Sequence, residues 1–360
     1  MGVAFENAHD AYQHYASIGE RAGHDPSPFF YNDWYKWRNP DSKKHKTPLD
    51  HFIDLSGSKT LDPAPFIDSV KLVREAADSS TSLDIYSRLV AGEAMGISPN
   101  LADHFADLAE ARETFLRRID LRILRDRGKG RRNLVWVQSG RSFKPADWFD
   151  SDATRDWDLL CNWYDLSCLD LRIGDIVTRQ SGTKFTGIAT VLRQTPELLK
   201  RYDQVLFVDD DLEFTHADID RVFGMAEEHR LDLFQPTLSA GSHCVWPDLF
   251  QRPGSDFRIM SGVEIMMFGF SARALELCEP CLATAVSGFG LDLSCSETVR
   301  NEGWLCGAID AVAVDHKEAI DEGGGSYYEF MRRIGINQQL ELFEAIEKFG
   351  RKPNFVELSA

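Results

Sequence analysis

Ten consecutive residues constrain this chain more than any others: Val205-Leu206-Phe207-Val208-Asp209-Asp210-Asp211-Leu212-Glu213-Phe214. The apolar run at their start reads as a short strand buried on both faces, and such strands belong in parallel sheets covered by helices. A strand of this kind cannot end cheaply in three adjacent carboxylates. Their mutual repulsion in a partly dry site raises their pKa values unless something cationic sits among them. A divalent metal is the natural answer. Alternation along an extended backbone puts Asp209 and Asp211 on one side and Asp210 on the other, so two carboxylates can face one ion and its phosphate ligands. Mn²⁺ and Mg²⁺ favour such oxygen-rich sites. The plain alternative is a solvated acidic turn. An EF-hand loop fits worse, because its spaced acids, central glycine and terminal glutamate are missing.

The surroundings of this strand repeat its theme. Leu134 to Val137 reads as a buried strand ending in Gln138-Ser139-Gly140-Arg141. Trp157 to Tyr164 and Ile173 to Arg179 supply further strands, Thr183 to Lys200 a helix, Ile259 to Phe270 a strand carrying Glu264, and Ile309 to His316 the last apolar strand. Alternating strands and helices imply an α/β fold with a mostly parallel sheet flanked by helices, whose ligands sit at the carboxyl ends of the strands. Nucleotide contacts are therefore expected from Gln138, Ser139 and Arg141, and from Lys184, which opens a helix whose dipole favours anions. The Gly-Thr-Lys at 182–184 lacks the upstream glycine of a P-loop.

Composition narrows the partners. The 360 residues carry 40 basic and 57 acidic side chains, a net charge of −17, which disfavours a phosphate backbone; no nucleic-acid partner is expected. Seven cysteines, an odd number, fit reduced thiols, and Cys278-x-x-Cys281 lacks the second pair a zinc site needs. With neither a leader pattern nor an eighteen-residue apolar run, the expected location is the cytoplasm. No Gly-x-Ser-x-Gly elbow supports serine hydrolysis.

The first seventy residues hold a weak repeat. His14-Tyr15 precedes Asp25-Pro26-Ser27-Pro28-Phe29 at the same spacing as His51-Phe52 precedes Asp62-Pro63-Ala64-Pro65-Phe66, a period of 37 residues (51 − 14). A helical stretch follows. Leu101, Phe105, Leu108, Phe115, Ile119 and Ile123 recur at three- and four-residue steps after Ser98-Pro99, which predicts one long helix stopped by Gly128. The organisation expected is a repeat-containing helical region (1–70), a helical connector (71–129), the α/β domain (130–348) and a tail (349–360). Gly323-Gly324-Gly325 reads as a hinge or an idle linker.

With these segments in view, the chain resembles the GT-A class of nucleotide-sugar glycosyltransferases, whose hallmark is a strand ending in Asp-x-Asp. Phe234 to Ser239, the Glu264 strand, Ser287-Gly288-Phe289-Gly290-Leu291-Asp292 and Ile309 to His316 bring it close to an uncharacterised GT-A-related family of plants and bacteria. Ala11 to Asp68 resembles short tandem segments that precede glycosyltransferase domains in bacterial surface-polysaccharide enzymes. The resemblance implies that Asp209, Asp211 and His316 hold Mn²⁺ or Mg²⁺, and that Asp209 and Asp210 join the donor contacts. It also implies that Asp292 takes the proton of the acceptor hydroxyl, with Glu264 in reserve. The glycines of Gly288-Phe289-Gly290 would let the backbone approach the sugar; the plain alternative is a turn with a helix-capping Asp292. Phe143, Trp148, Trp157, Trp163, Tyr164 and Trp246 suit sugar stacking or an ordinary core. The implied partners are a nucleotide-sugar donor, a saccharide or glycolipid acceptor, and a membrane assembly complex met peripherally. Three readings stand open: a metal-dependent glycosyltransferase, a nucleotidyl or phosphoryl transferase with a similar acidic site, and a non-catalytic sugar-nucleotide or glycan binding module.

Overall fold

The structure, a computed structural model, describes residues 7–76, 80–93, 95–145, 154–316 and 325–359. Trp148 and most of the triple glycine, Gly323 and Gly324, lie outside the described residues. The chain divides into two compact units, Met1–Ala109 with Ser326–Leu340, and Glu110–Gly325 with Glu341–Ala360.

Among the described residues of the larger unit ten strands form one sheet: β1 (Arg122–Asp126), β2 (Asn133–Ser139), β3 (Trp157–Trp163), β4 (Ile176–Arg179), β5 (Gln204–Val208), β6 (Leu212–Glu213), β7 (Leu233–Leu238), β8 (Arg258–Ile259), β9 (Met267–Ser271) and β10 (Cys306–His316). Their order is β1-β4-β3-β2-β5-β9-β7-β10-β6, with β8 paired to β10. Strands β2, β3, β4 and β5 run parallel, as do β7 and β10; β9 lies antiparallel between β5 and β7, and β1, β6 and β8 are antiparallel additions. The fold is α/β with a mostly parallel sheet, as its strand pattern predicts.

Side-chain alternation explains the layering. Leu134, Trp136, Val205 and Phe207 join one core with the helices Lys184–Gln194, Ala272–Leu282 and Leu291–Asn301. Val135, Val137, Leu206 and Val208 join the other with the helix His216–Glu228. The chain builds outward from β2 through β3 to β4 and then returns to β5 on the opposite flank of β2. This reversal opens a crevice at the carboxyl ends of β2 and β5, where ligands bind in doubly wound sheets. Val137 is level with Val208, so Gln138 and Asp209 are the next residues on either lip.

Three expectations are corrected here. The helix that begins at Leu101 ends at Leu116, and Arg122–Asp126 forms the edge strand β1 instead of continuing it. Pairing with the open edge of β4, reinforced by the Arg125 guanidinium donating to the carbonyls of Leu171, Ile173 and Gly174, outweighs the helical period of Ile119 and Ile123. The strand expected over Ile259 to Phe270 is two strands, β8 and β9, separated by a segment in which Val263, Glu264 and Met266 donate their backbone N–H to the side chains of Ser296, Gln235 and Glu264 instead of to a ladder. The helix expected over Thr183 to Lys200 starts with Thr183 as its cap and breaks before Pro196, where the imide cannot donate.

The smaller unit is helical. At its first corner the Asp25 carboxylate accepts from the Asn32 backbone N–H at 2.6 Å, while the Asn32 amide donates to the His24 carbonyl. At the second, Asp62 accepts from the Ser69 N–H at 2.7 Å and the Ser69 hydroxyl donates to the Leu61 carbonyl at 2.8 Å. These bonds sit 37 residues apart (62 − 25 and 69 − 32). Each aspartate thereby satisfies an orphan donor at a helix start. Phe30, Tyr35, Phe52 and Tyr86 pack edge to face beside the corners.

Candidate active site

Strand β5 delivers Asp209 to the crevice, where its backbone N–H donates to the Met266 carbonyl at 3.0 Å. Its carboxylate meets the Lys184 ammonium at 2.9 Å. That ammonium, on a side chain only 2% exposed, also donates to the carbonyls of Ile265 at 2.6 Å and Met266 at 3.1 Å, so its three protons are all used. The rings of Phe185 and Phe268 lie 5.2 and 5.5 Å away. Asp209 is 39% exposed yet crowded by protein, the geometry of a cleft floor. Burial pushes its pKa up and the Lys184 charge opposes the shift.

Asp211 faces His316 across the β6–β10 pairing, carboxylate to Nε2 at 3.1 Å. The other imidazole nitrogen, Nδ1, bonds the His243 carbonyl at 2.7 Å. Burial works against the imidazolium, but these two hydrogen bonds and the aspartate charges outweigh it and raise the pKa to about 9. At neutral pH both nitrogens then donate. The second Asp211 oxygen, Oδ1, is buried and has no hydrogen-bond partner among the described residues. Asp210, turned the other way, accepts from the Tyr164 hydroxyl at 3.3 Å; burial and the two flanking aspartates push it up to about 7.

A second pair of acids occupies the same crevice. Glu264 lies in the segment between β8 and β9, its backbone N–H donating to Gln235 at 2.6 Å and its carboxylate accepting from the Met266 N–H at 2.7 Å. Burial raises it to about 7, against the pull of Lys184. Asp292 stands in the first turn of the helix Leu291–Asn301, whose cap is Gly290, not Asp292. Its carboxylate accepts from the Leu293 N–H at 2.7 Å, and burial together with the Glu264 charge pushes it up to about 7.

The glycines before Asp292 serve packing. Gly288 has φ +86° and a Cβ there would lie 2.2 Å from the Phe185 ring; Gly290 has φ +77° and would meet Ala345 at 2.8 Å. Both glycines are thus required by close contact with the protein's own helices, while Gly288, Phe289 and Gly290 also line a pocket of about 290 Å³. The buried Glu341 carboxylate ties down the loop's start, accepting from the Ser287 backbone N–H at 2.8 Å and from its hydroxyl. Sequence reasoning missed Glu341, since nothing local marks a carboxylate fifty-four residues downstream as the partner of this loop.

The remaining expected residues fall into place as follows. Gln138 is buried and accepts from Asn162 at 2.8 Å, and the Ser139 hydroxyl bonds the Val137 carbonyl at 3.2 Å. Arg141 is 81% exposed and paired with Asp165 at 2.9 Å. Of the aromatic residues, Phe143, Trp157 and Trp163 belong to the core, the second of the two roles open to them; Trp246 packs on Phe355 with ring centroids 5.0 Å apart. Tyr164 alone among these five is exposed, at 42%, and its ring covers Gly140, where a Cβ would fall 2.2 Å from the hydroxyl.

No protein-family model and no curated protein sequence matches the chain. Among solved structures it is similar to residues 1–349 of TarS from S. aureus, at 12% identity and a TM-score of 0.37 over 61% of this chain and 73% of that one. The same TarS fragment in complex with UDP-GlcNAc gives 11% identity and a TM-score of 0.34 over the same shares. A197 from STIV gives 15% identity and a TM-score of 0.32, over 53% of this chain and 87% of that one.

The donor set limits how a metal could sit here. Among the described residues, no three His, Cys, Asp or Glu side chains are grouped to hold an ion unaided. Asp209 is engaged by Lys184, which leaves the unpartnered Asp211 Oδ1 and, once an incoming ion displaces the proton that Nε2 shares with Asp211, the His316 imidazole as the protein's contribution. Two ligands fit a Mn²⁺ or Mg²⁺ ion that takes its other oxygens from a substrate diphosphate and water.

Proposed function

We propose that this chain is a metal-dependent glycosyltransferase that moves a sugar from a nucleotide diphosphate donor to a saccharide or glycolipid acceptor, in the building of a bacterial surface glycan. One observation carries the reading: two chemically different sets of acids meet in one crevice. The first set is charged and balanced, Asp209 by Lys184 and Asp211 by His316. The second, Glu264 and Asp292, is held near neutrality by burial. A group-transfer reaction between a diphosphate leaving group and an alcohol needs this division, fixed charge for the phosphates and a base poised near the working pH for the hydroxyl.

In this reading Asp211 and His316, its Nε2 proton released on binding, would hold Mn²⁺ or Mg²⁺ against the donor diphosphate, and the ion would stabilise its departing charge. Lys184 fixes Asp209 and lowers the crevice's net negative charge, so that an anionic donor can enter. Tyr164 offers an exposed ring on the β2 side for the base. Asp292 takes the acceptor proton, and Glu264 keeps its basicity high. The helical repeats would dock the enzyme in the cytoplasm onto a membrane assembly complex; no helix among the described residues is long and apolar enough to cross a membrane itself.

The decisive assay is turnover of nucleotide sugars with Mn²⁺ and identification of the released nucleotide. Nucleoside diphosphate is expected, and Asp211→Ala should abolish its release, at least 100-fold, while the protein stays folded. Nucleoside monophosphate or pyrophosphate as product would assign the crevice to nucleotidyl or phosphoryl transfer instead.

A further inference from the structure

The smaller unit contains a cavity of about 340 Å³ with a basic wall. Arg38, Lys44, Lys59, His45 and His51 line it, and the single carboxylate on the wall, Asp41, is already paired with Lys44 at 2.7 Å. The surrounding stretch, residues 36–59, carries six Lys and Arg against three Asp in a chain whose net charge is −17. Such a local reversal concentrates anions.

The wall is built rather than incidental. His51 is 4% exposed, its Nδ1 bonded to the Tyr35 hydroxyl at 2.7 Å, and the His45 ring stands edge-on at 4.9 Å. His45 is in turn oriented by Asp54 at 3.1 Å. The Arg38 guanidinium lies 5.9 Å from the rings of both Trp34 and Trp37, which holds a cation over an apolar platform. The Lys59 ammonium forms no hydrogen bond or ion pair among the described residues. Leu55 and Leu61 complete the lining.

We propose that this cavity binds a phosphate group of a larger ligand. Three cationic side chains on one wall, Arg38, Lys44 and Lys59, beside the imidazoles of His45 and His51, suit a multiply charged tetrahedral anion better than a planar carboxylate. The space exceeds one such ion, and the two leucines offer contact to whatever the phosphate is attached to. The site lies wholly in the smaller unit and does not depend on the reading of the crevice.

The test is titration of the full chain with inorganic pyrophosphate in EDTA, without divalent metal, followed by calorimetry. Saturable binding is expected, weakened at least tenfold in Lys44→Glu/Lys59→Glu and unchanged in Asp211→Ala. Sedimentation with phosphatidylglycerol vesicles, against phosphatidylcholine vesicles, separates the sources. Retention lost in the double variant assigns a lipid headgroup, and pyrophosphate binding without retention assigns a soluble phosphoester. No binding at millimolar pyrophosphate, or equal binding by the double variant, overturns the proposal.

Discussion

Asp292→Asn is expected to abolish transfer, by at least 1000-fold, while making the protein more stable at pH 8. Both effects come from one property: the carboxyl is buried beside Glu264 and raised to about 7. Below about pH 4 the group is protonated in both folded and unfolded chains. As pH rises from there, the unfolded chain releases its proton first, and each unit costs the folded state up to about 1.4 kcal/mol until the folded pKa is passed. Stability is therefore lost across the window from about 4 to about 7, and asparagine removes that loss. A gain of about 2 kcal/mol at pH 8, vanishing near pH 4, is the expected signature in denaturant midpoints. In the wild type the transfer rate should climb as pH rises through about 7, where Asp292 becomes a base. An asparagine variant with equal activity would remove Asp292 from the reaction, and one with lower stability at pH 8 would contradict its raised pKa.

The second large effect falls on Lys184→Met. The ammonium satisfies Asp209 and two backbone carbonyls from a nearly fully buried position. Its removal takes a donor from each of the three, leaving the Met266 carbonyl with only the Asp209 backbone N–H, and leaves Asp209 facing its neighbours uncompensated. Breaking a buried ion pair costs several kcal/mol, but Asp209 is 39% exposed and water can reach it, so about 2 kcal/mol is expected. Donor affinity should fall roughly 30-fold, because the crevice becomes one charge more negative. Lys184→Met/Asp209→Asn should recover part of the stability but not the affinity. If the double variant were no more stable than Lys184→Met, the ion pair would not be the source of the loss.

These two residues also show what a sequence can and cannot disclose. The trio after Val208 was legible because an apolar run ending in three acids is improbable without a purpose, and the physics demanded a cation among them. That the cations at hand are Lys184 and His316 was only half legible. Each was visible as a candidate, but their pairing with Asp209 and Asp211 depends on strand order, which places residues twenty-five and more than a hundred positions apart on one lip. The paired corners at Asp25 and Asp62 were legible because proline and aspartate act locally. Strand β1 was not, since the open edge of β4 that captures it lies over fifty residues downstream. Phe143, Trp157 and Trp163 illustrate the same limit: an aromatic residue declares its size in the sequence, but its face is assigned only when the sheet layers form.

The most direct test of the central claim is calorimetric titration of the full chain with uridine and guanosine diphosphates, with and without Mn²⁺. The account predicts binding of at least one nucleotide in the micromolar range with Mn²⁺, weakened tenfold or more without the ion and by Asp211→Ala. Indifference of the folded protein to both nucleotides under all of these conditions would contradict it.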